Sequence, residues 1–358
     1  MTSAEPVTVV IPVYNLNRYV GDAIRSVLAQ DYQGPISIVI IDDGSSDDSL
    51  AVVNEVVASQ SRINSALVSV HTQENRGRAK TRNRLIELAQ TEWVAWLDGD
   101  DLASPSWISE QAQYLASHPQ CVAVSAQGYS MTATGHAIGP MVHPLESDAI
   151  DQRHISGEAN AFFQSCVLTR KSAVEKVGGY DESFPVAEDY GLWLRLAEIG
   201  KLANLSSCHL FYRVHGTSAN WSANVSQRNQ GHAVLNQARI RRGLAPIDKM
   251  IQEIPPAKKD DWNRRLYWIN TALKSGNPMS ALQMIRVAIW RHPCSLILWC
   301  AAFVSVCDMV LFCGNLTKRF RPGARPELKS LPTISIYRLG RWVIRLRRRI
   351  KSATSRSV

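Results

Sequence analysis

Hydrophobic positions follow two rhythms over the first hundred residues. Val7-Thr8-Val9-Val10-Ile11 is a β-branched run ending at Pro12, which predicts a buried strand. From Leu16 to Gln30 the apolar residues Val20, Ile24, Val27 and Leu28 fall at helical spacing. A second apolar run, Ile36 to Ile41, stops at "DDGSSDDS", where Gly44 permits a turn and Ser45, Ser46 and Asp47 are good helix N-caps. The alternation continues with a helix from Leu50 to Ala58, a strand from Ala66 to Val70, a helix from Asn75 to Ala89 and a strand from Trp93 to Leu97. Strands alternating with helices predict right-handed crossovers and a mostly parallel sheet, whose ligands bind beyond the carboxyl ends of the strands. Those ends are Pro12-Val13-Tyr14, Asp42-Asp43 and Asp98-Gly99-Asp100, and the topology brings all three to one edge.

The chemistry of that edge is aromatic, then acidic, then acidic. Neither GxGxxG nor GxxxxGK[ST] occurs, so a dinucleotide fingerprint and a Walker phosphate loop are excluded. Three aspartates within "WLDGDD" (96–101) repel one another unless a cation or hydroxyl donors sit among them. Mg²⁺ suits such a place, because it binds through one or two carboxylates together with substrate oxygens and water. Asp47 and Asp48 read as turn and capping residues, whereas the preceding strand anchors Asp98 and Asp100 rigidly.

The motifs, taken in order, resemble the family 2 glycosyltransferases. They are "VVIPVYN" (9–15), "IIDDGSSDDS" (40–49), "NRGRAKTRN" (75–83), "WLDGDD" (96–101), "GGYDE" (178–182), "EDYGLWLRL" (188–196) and "YRVHGTS" (212–218). The resemblance spans roughly Val7 to Ser226. It implies the α/β GT-A fold of nucleotide-diphospho-sugar transferases, a Rossmann-like mixed sheet flanked by helices; the helical C-terminal extension is read from the later residues themselves. Carried over residue by residue, it places Pro12 and Tyr14 beside the nucleobase, with Asp42 accepting a hydrogen bond from it. Asp98 would touch the ribose, Asp100 would hold Mg²⁺ or Mn²⁺ on the diphosphate, and Arg82 would lie near the nucleotide. Asp101 is a weaker candidate for either acidic role, and Thr81 stands where the family has alanine. His215 is a candidate further ligand of metal or diphosphate, although a lone histidine is more often structural.

Acidic residues at a helix start also cap amides and complement the helix dipole, so Glu188 and Asp189 alone leave two readings open. The resemblance makes Asp189 the general base of an inverting reaction and Glu188 a supporting or acceptor-contacting group. The implied enzyme is metal-dependent. It moves a sugar from a nucleotide donor, UDP- or dTDP-linked, to a hydroxyl of a glycan or glycolipid in cell-surface polysaccharide synthesis. A nucleotidyltransferase would want a basic glycine-rich loop after the first strand, which "PVYNLNRYVG" is not. A catalytically silent scaffold of the same fold has no reason to keep Asp98, Asp100 and Asp189.

Beyond about Asn229 the motifs stop, and the chain divides into a catalytic region (1–228), a helical region (229–315) and a basic tail (316–358). Helices are predicted over Asp260 to Ala272, Ala281 to Arg291 and Ser295 to Phe312. Seventeen of the twenty residues from 294 to 313 are apolar, yet Asp308 lies inside and both flanks are basic. This favours a buried or partly embedded helix over a single membrane crossing.

The net charge is +9, and eight Lys or Arg without one acidic residue follow from Arg338 onward. The basicity therefore belongs to the tail. "RLGRWVIRLRRRIKS" (338–352) has the composition of an amphipathic helix on an anionic membrane surface, and a nucleic-acid partner is not expected. Seven scattered cysteines without CxxC and no evident signal peptide lead to the expectation of a cytoplasmic protein at the inner membrane face.

Overall fold

The computed structural model describes residues 4–59, 68–158, 160–216, 225–248 and 262–291, together with residues 298, 299, 301, 302 and 305. The chain divides into two compact units. One comprises Met1–Gly128, Met141–Arg213 and Ala223–Glu253, and the other Tyr129–Pro140, Val214–Ser222 and Ile254–Val358.

The first unit begins with the expected alternation: β1 (Val7–Val13), α1 (Val20–Leu28), β2 (Ile36–Asp42), α2 (Ser49–Ser59), β3 (Val68–Thr72), α3 (Arg78–Leu88) and β4 (Trp93–Trp96). β1 pairs in parallel with both β2 and β4, and β2 in parallel with β3. Next come β5 (Leu102–Ala103), α4 (Trp107–Ser117) and β6 (Cys121–Thr132), then β7 (Ala137–Met141), α5 (Ser147–Ile155), β8 (Val167–Arg170) and α6 (Lys171–Lys176). α7 (Glu188–Leu196), β9 (Lys201–Val214) and α8 (Val225–Arg241) follow. β8 lies antiparallel to both β4 and β6, and β5 antiparallel to β9. The sheet order β3-β2-β1-β4-β8-β6-β9-β5 is therefore mixed, with a parallel half and an antiparallel half.

Strand parity distributes the core. Val7, Val9, Ile11 and Val13 face one side with Ile24, Val27, Trp107 and Leu115. Val10 faces the other with Leu85, Trp96, Phe162, Leu192 and Trp193. That second layer packs α3 and α7 on the same side of the sheet. α8 then covers α7 through Leu194, Val234, Leu235 and Ala238.

In the second unit β7 pairs with the end of β6, and Ser130 donates its hydroxyl hydrogen to the Gly139 carbonyl at 2.8 Å. α9 (Trp262–Lys274) and α10 (Pro278–Arg291) form a helical hairpin. Gly276, at φ 71°, ends α9, and Asn277 donates to the Ile138 carbonyl at 3.0 Å. Among the described residues no helix is long and apolar enough to cross a membrane. The stretch 294–313 lies outside the described residues except at 298, 299, 301, 302 and 305, and so does the whole tail from 316.

Candidate active site

Parallel register brings the first two strand ends level. Val13 is paired with Asp42, and the Asp43 amide donates to the Val13 carbonyl at 2.8 Å. The turn after β1 is laced to the turn after β2. Asn15, at φ 55°, receives the Ser46 amide on its Oδ1 at 2.8 Å and donates its own amide to the Ser45 hydroxyl at 2.9 Å. Asp47 receives the Asn17 amide and caps Ser49. Partial burial would raise its carboxyl, but hydrogen bonds from Ser49 and Asn17 hold it below the usual range. Tyr14 stands half-exposed beside this lacing, at 49%, and Pro12 is paired with Ile41 within the sheet.

The two acids of "DDGS" differ sharply. Asp43 is saturated: it receives the Gln73 side chain at 2.6 Å, the Arg76 amide at 2.9 Å and the Gly77 amide at 3.0 Å. Thr81 joins this network, its hydroxyl accepting from the same Gln73 amide at 2.9 Å. Asp42 uses one oxygen on the Ser45 amide at 3.1 Å, and its buried Oδ1 has no partner among the described residues. An acceptor left so costs about 1–3 kcal/mol until a donor arrives.

β4 delivers the third strand end. Asp98 donates its amide to the Ser165 hydroxyl at 3.2 Å, and the Asp101 amide closes the turn on the Asp98 carbonyl at 3.1 Å. A Cβ on Gly99 would come within 3.0 Å of both the Pro12 carbonyl oxygen and Leu16, so the turn passes close over the end of β1. Asp101 points into the protein, with its carboxylate receiving the Arg213 amide at 2.9 Å. Burial, then the charges of Asp100 and Asp98, push its carboxyl well above the usual range. Arg213 also donates to the Asp100 carbonyl at 2.9 Å, which fixes the turn from behind. Asp98 and Asp100 remain partly exposed at the edge.

The acidic start of α7 reaches this edge through arginines. Glu188 is fully buried, and its Oε1 lies 2.6 Å from Arg82 Nη1 and 3.3 Å from Arg78 Nε. The other terminal nitrogen of Arg82 donates to Asp98 at 3.0 Å. Arg82, expected near the nucleotide, is thus enclosed between two carboxylates. Its burial works against the charge, but Asp98 and Glu188 raise its pKa and keep it ionised. Asp189, the next residue, is partly exposed, and its carboxylate receives the Tyr190 amide at 2.8 Å. Asn83 clamps the segment leading there, receiving the Tyr180 amide at 2.7 Å and donating to the Tyr180 carbonyl at 2.9 Å. His215 follows β9, is buried and belongs to the second unit. Sequence reading singled out neither Arg78, Ser165, Asn83 nor Arg213 for a site role. Only the position of Asn83 beside Arg82 in "TRN" hinted at one.

Among the described residues no group of three or more His, Cys, Asp or Glu side chains is placed to hold a metal ion. Asp98 and Asp100 nevertheless fit a cation of the Mg²⁺ kind, which needs only one or two carboxylates when phosphate oxygens and water complete its shell. The Asp100 charge helps push the Asp98 carboxyl up. That effect comes after the larger ones of burial, which raises it, and of Arg82, which lowers it, as expected where one carboxylate stands near another.

A parallel half-sheet with an aromatic and acidic carboxyl edge, joined to an antiparallel half that carries an acidic helix start, is the architecture of GT-A-type glycosyltransferases. Residues 8–178 match the model of "Glycosyl transferase family 2", so the chain carries a glycosyltransferase domain of that family. It is 27% identical over 218 residues to the Escherichia coli UDP-Glc:alpha-D-GlcNAc-diphosphoundecaprenol beta-1,3-glucosyltransferase WfaP, covering 60% of this chain and 79% of the relative. An uncharacterized glycosyltransferase of Haemophilus influenzae is 24% identical over 246 residues, 66% of this chain and 74% of its own. Among solved structures, TarS 1–349 of S. aureus in complex with UDP-GlcNAc superposes with a TM-score of 0.53. The identity there is 15%, over 88% of this chain and 94% of that one, a likeness of fold.

Proposed function

We propose that this glycosyltransferase takes its sugar from a UDP- or dTDP-linked donor and passes it, with inversion, to a hydroxyl of a glycan or glycolipid in polysaccharide assembly. The observation that carries this reading is the unpartnered Asp42 Oδ1 on the same edge as Tyr14, Asp98 and Asp100. An acceptor of this kind suits the imide N–H of uracil or thymine, with the Tyr14 ring packing beside the base. Asp98 is proposed to receive ribose hydroxyls. Asp100 would hold Mg²⁺ or Mn²⁺ on the diphosphate. The cation, when bound, would neutralise the charge that develops on the leaving diphosphate. Asp189 would take the proton from the acceptor hydroxyl. A carboxylate is a weak base, so its placement must supply much of the effect. Glu188, wholly buried against Arg82, is proposed to support its neighbour rather than to touch an acceptor.

The donor and acceptor named for WfaP, together with UDP-GlcNAc bound to TarS, favour a UDP-sugar and a lipid-linked acceptor. The basic stretch 338–352 would hold the enzyme peripherally on the cytoplasmic face of an anionic membrane, where such acceptors lie. Calorimetric titration with UDP, dTDP and GDP, with and without Mg²⁺ or Mn²⁺, tests the donor site. Metal-dependent binding of UDP or dTDP that Asp100→Ala abolishes is the expected result. Folded protein that binds no diphosphate would overturn the reading.

A further inference from the structure

Arg82 is held in an unusual way for a residue at a nucleotide edge. Its two terminal nitrogens point to different carboxylates, Glu188 at 2.6 Å and Asp98 at 3.0 Å, which are ninety positions apart in sequence. Its side chain is 5% exposed and that of Glu188 0%, so neither reaches a substrate without the pair being dismantled. The Tyr180 ring, 5.7 Å from the guanidinium carbon, closes the remaining side, and Asn83 pins the Tyr180 backbone from the same turn of α3. A planar guanidinium presents separate nitrogens to two carboxylates in a fixed fork, whereas an ammonium offers one point charge on a flexible stem.

We infer that Arg82 is a positioning residue rather than a nucleotide contact: its guanidinium ties Asp98, on the donor edge, to Glu188, the residue that seats Asp189 at the start of α7. The inference rests on the proposed role of Asp189 as base. The chain of contacts gives a physical reason for the fixed spacing between donor edge and base. Asp98 is held by its backbone to Ser165 and by its carboxylate to Arg82. Glu188 is held by Arg82 and, at 3.3 Å, by the more exposed Arg78. If the link from Arg82 is lost, Asp98 keeps its strand and Glu188 keeps its helix, but the distance between donor and base is no longer set. A misplacement of about 1 Å in such a constellation costs roughly 100-fold in rate.

The test is a double-mutant cycle on the full chain with R82K, E188Q and R82K/E188Q, read as kcat, donor KM and UDP affinity. The expected result is a kcat roughly 100-fold lower in each single variant, with donor KM changed less than about fivefold. The double variant should stand within about threefold of the worse single one, because both substitutions break one unit. Losses that multiply would overturn the inference. So would R82K losing UDP affinity at unchanged kcat, since Arg82 would then be a nucleotide contact. Should the single variants fail to fold, R82M/E188M removes both charges together, and wild-type kcat in that protein would also overturn it. D189N separates the two readings: full activity there refutes the base, while non-additivity of R82K and E188Q still reports the tie.

Discussion

Replacing Gly179 by alanine should destabilise the protein more than the same change at its neighbour Gly178, and the difference can be worked out. Both residues have positive φ, 80° at Gly178 and 68° at Gly179, so each alanine carries a backbone cost of about 1–2 kcal/mol. Around Gly178 no atom of the described residues lies within 4 Å of an added Cβ. At Gly179 the Cβ would stand 2.6 Å from Asn83 Oδ1. That oxygen cannot swing away freely, because it receives the Tyr180 amide at 2.7 Å while the amide nitrogen of Asn83 donates to the Tyr180 carbonyl. Relieving the clash therefore costs at least one hydrogen bond, about 0.5–1.5 kcal/mol, beyond the backbone term. G178A should lose about 1–2 kcal/mol and G179A about 1.5–3.5 kcal/mol. Urea unfolding of both variants, compared by midpoint at unchanged slope, measures the gap. Equal losses would refute the argument that Asn83 is a fixed clamp.

Three further outcomes follow from the geometry. D42N should weaken UDP binding by roughly 10- to 100-fold, from the loss of a charge-assisted hydrogen bond; unchanged affinity by calorimetry would remove Asp42 from the donor site. T169V should cost about 1–3 kcal/mol in thermal or urea unfolding, because the buried Trp96 indole N–H donates to the Thr169 hydroxyl at 3.1 Å and would lose its acceptor. Burial depresses the His154 imidazole to about 3, so it stays neutral in the fold while the unfolded chain takes a proton below about pH 6.5. Its contribution to stability is therefore absent above that pH. Below it, stability falls by up to about 1.4 kcal/mol per pH unit, down to the folded pKa. H154Q should flatten this slope in urea titrations between pH 6.5 and 4, and an unaltered slope would show that His154 is not its source.

The parallel half of the fold was legible because β-branched runs and helical spacing alternate cleanly up to Leu97, and parallel topology alone brings their ends together. The antiparallel half was harder to read. β6 is buried on both faces and includes Ser125, Gln127 and Ser130, so no two-residue alternation marks it. The acids of the site were visible as residue types but not as directions. Asp98, Asp100 and Asp101 look equivalent in sequence, and the inward turn of Asp101 shows only in its bond to Arg213, more than a hundred positions away. The bond between Arg82 and Glu188 spans 106 positions. No local pattern carries such a pairing, and an arginine beside an acidic edge reads naturally as a phosphate contact.

Three successive residues of α3 reach three different parts of the molecule: Thr81 the Gln73–Asp43 network, Arg82 the two carboxylates, Asn83 the Gly179–Tyr180 turn. Inserting or deleting one residue ahead of them would rotate all three by about 100° and move them about 1.5 Å along the axis. Every one of those attachments would then be missed together. Loops of this protein can change length and helix surfaces can change composition, but this single turn of helix works like a key, whose cuts are useful only in phase.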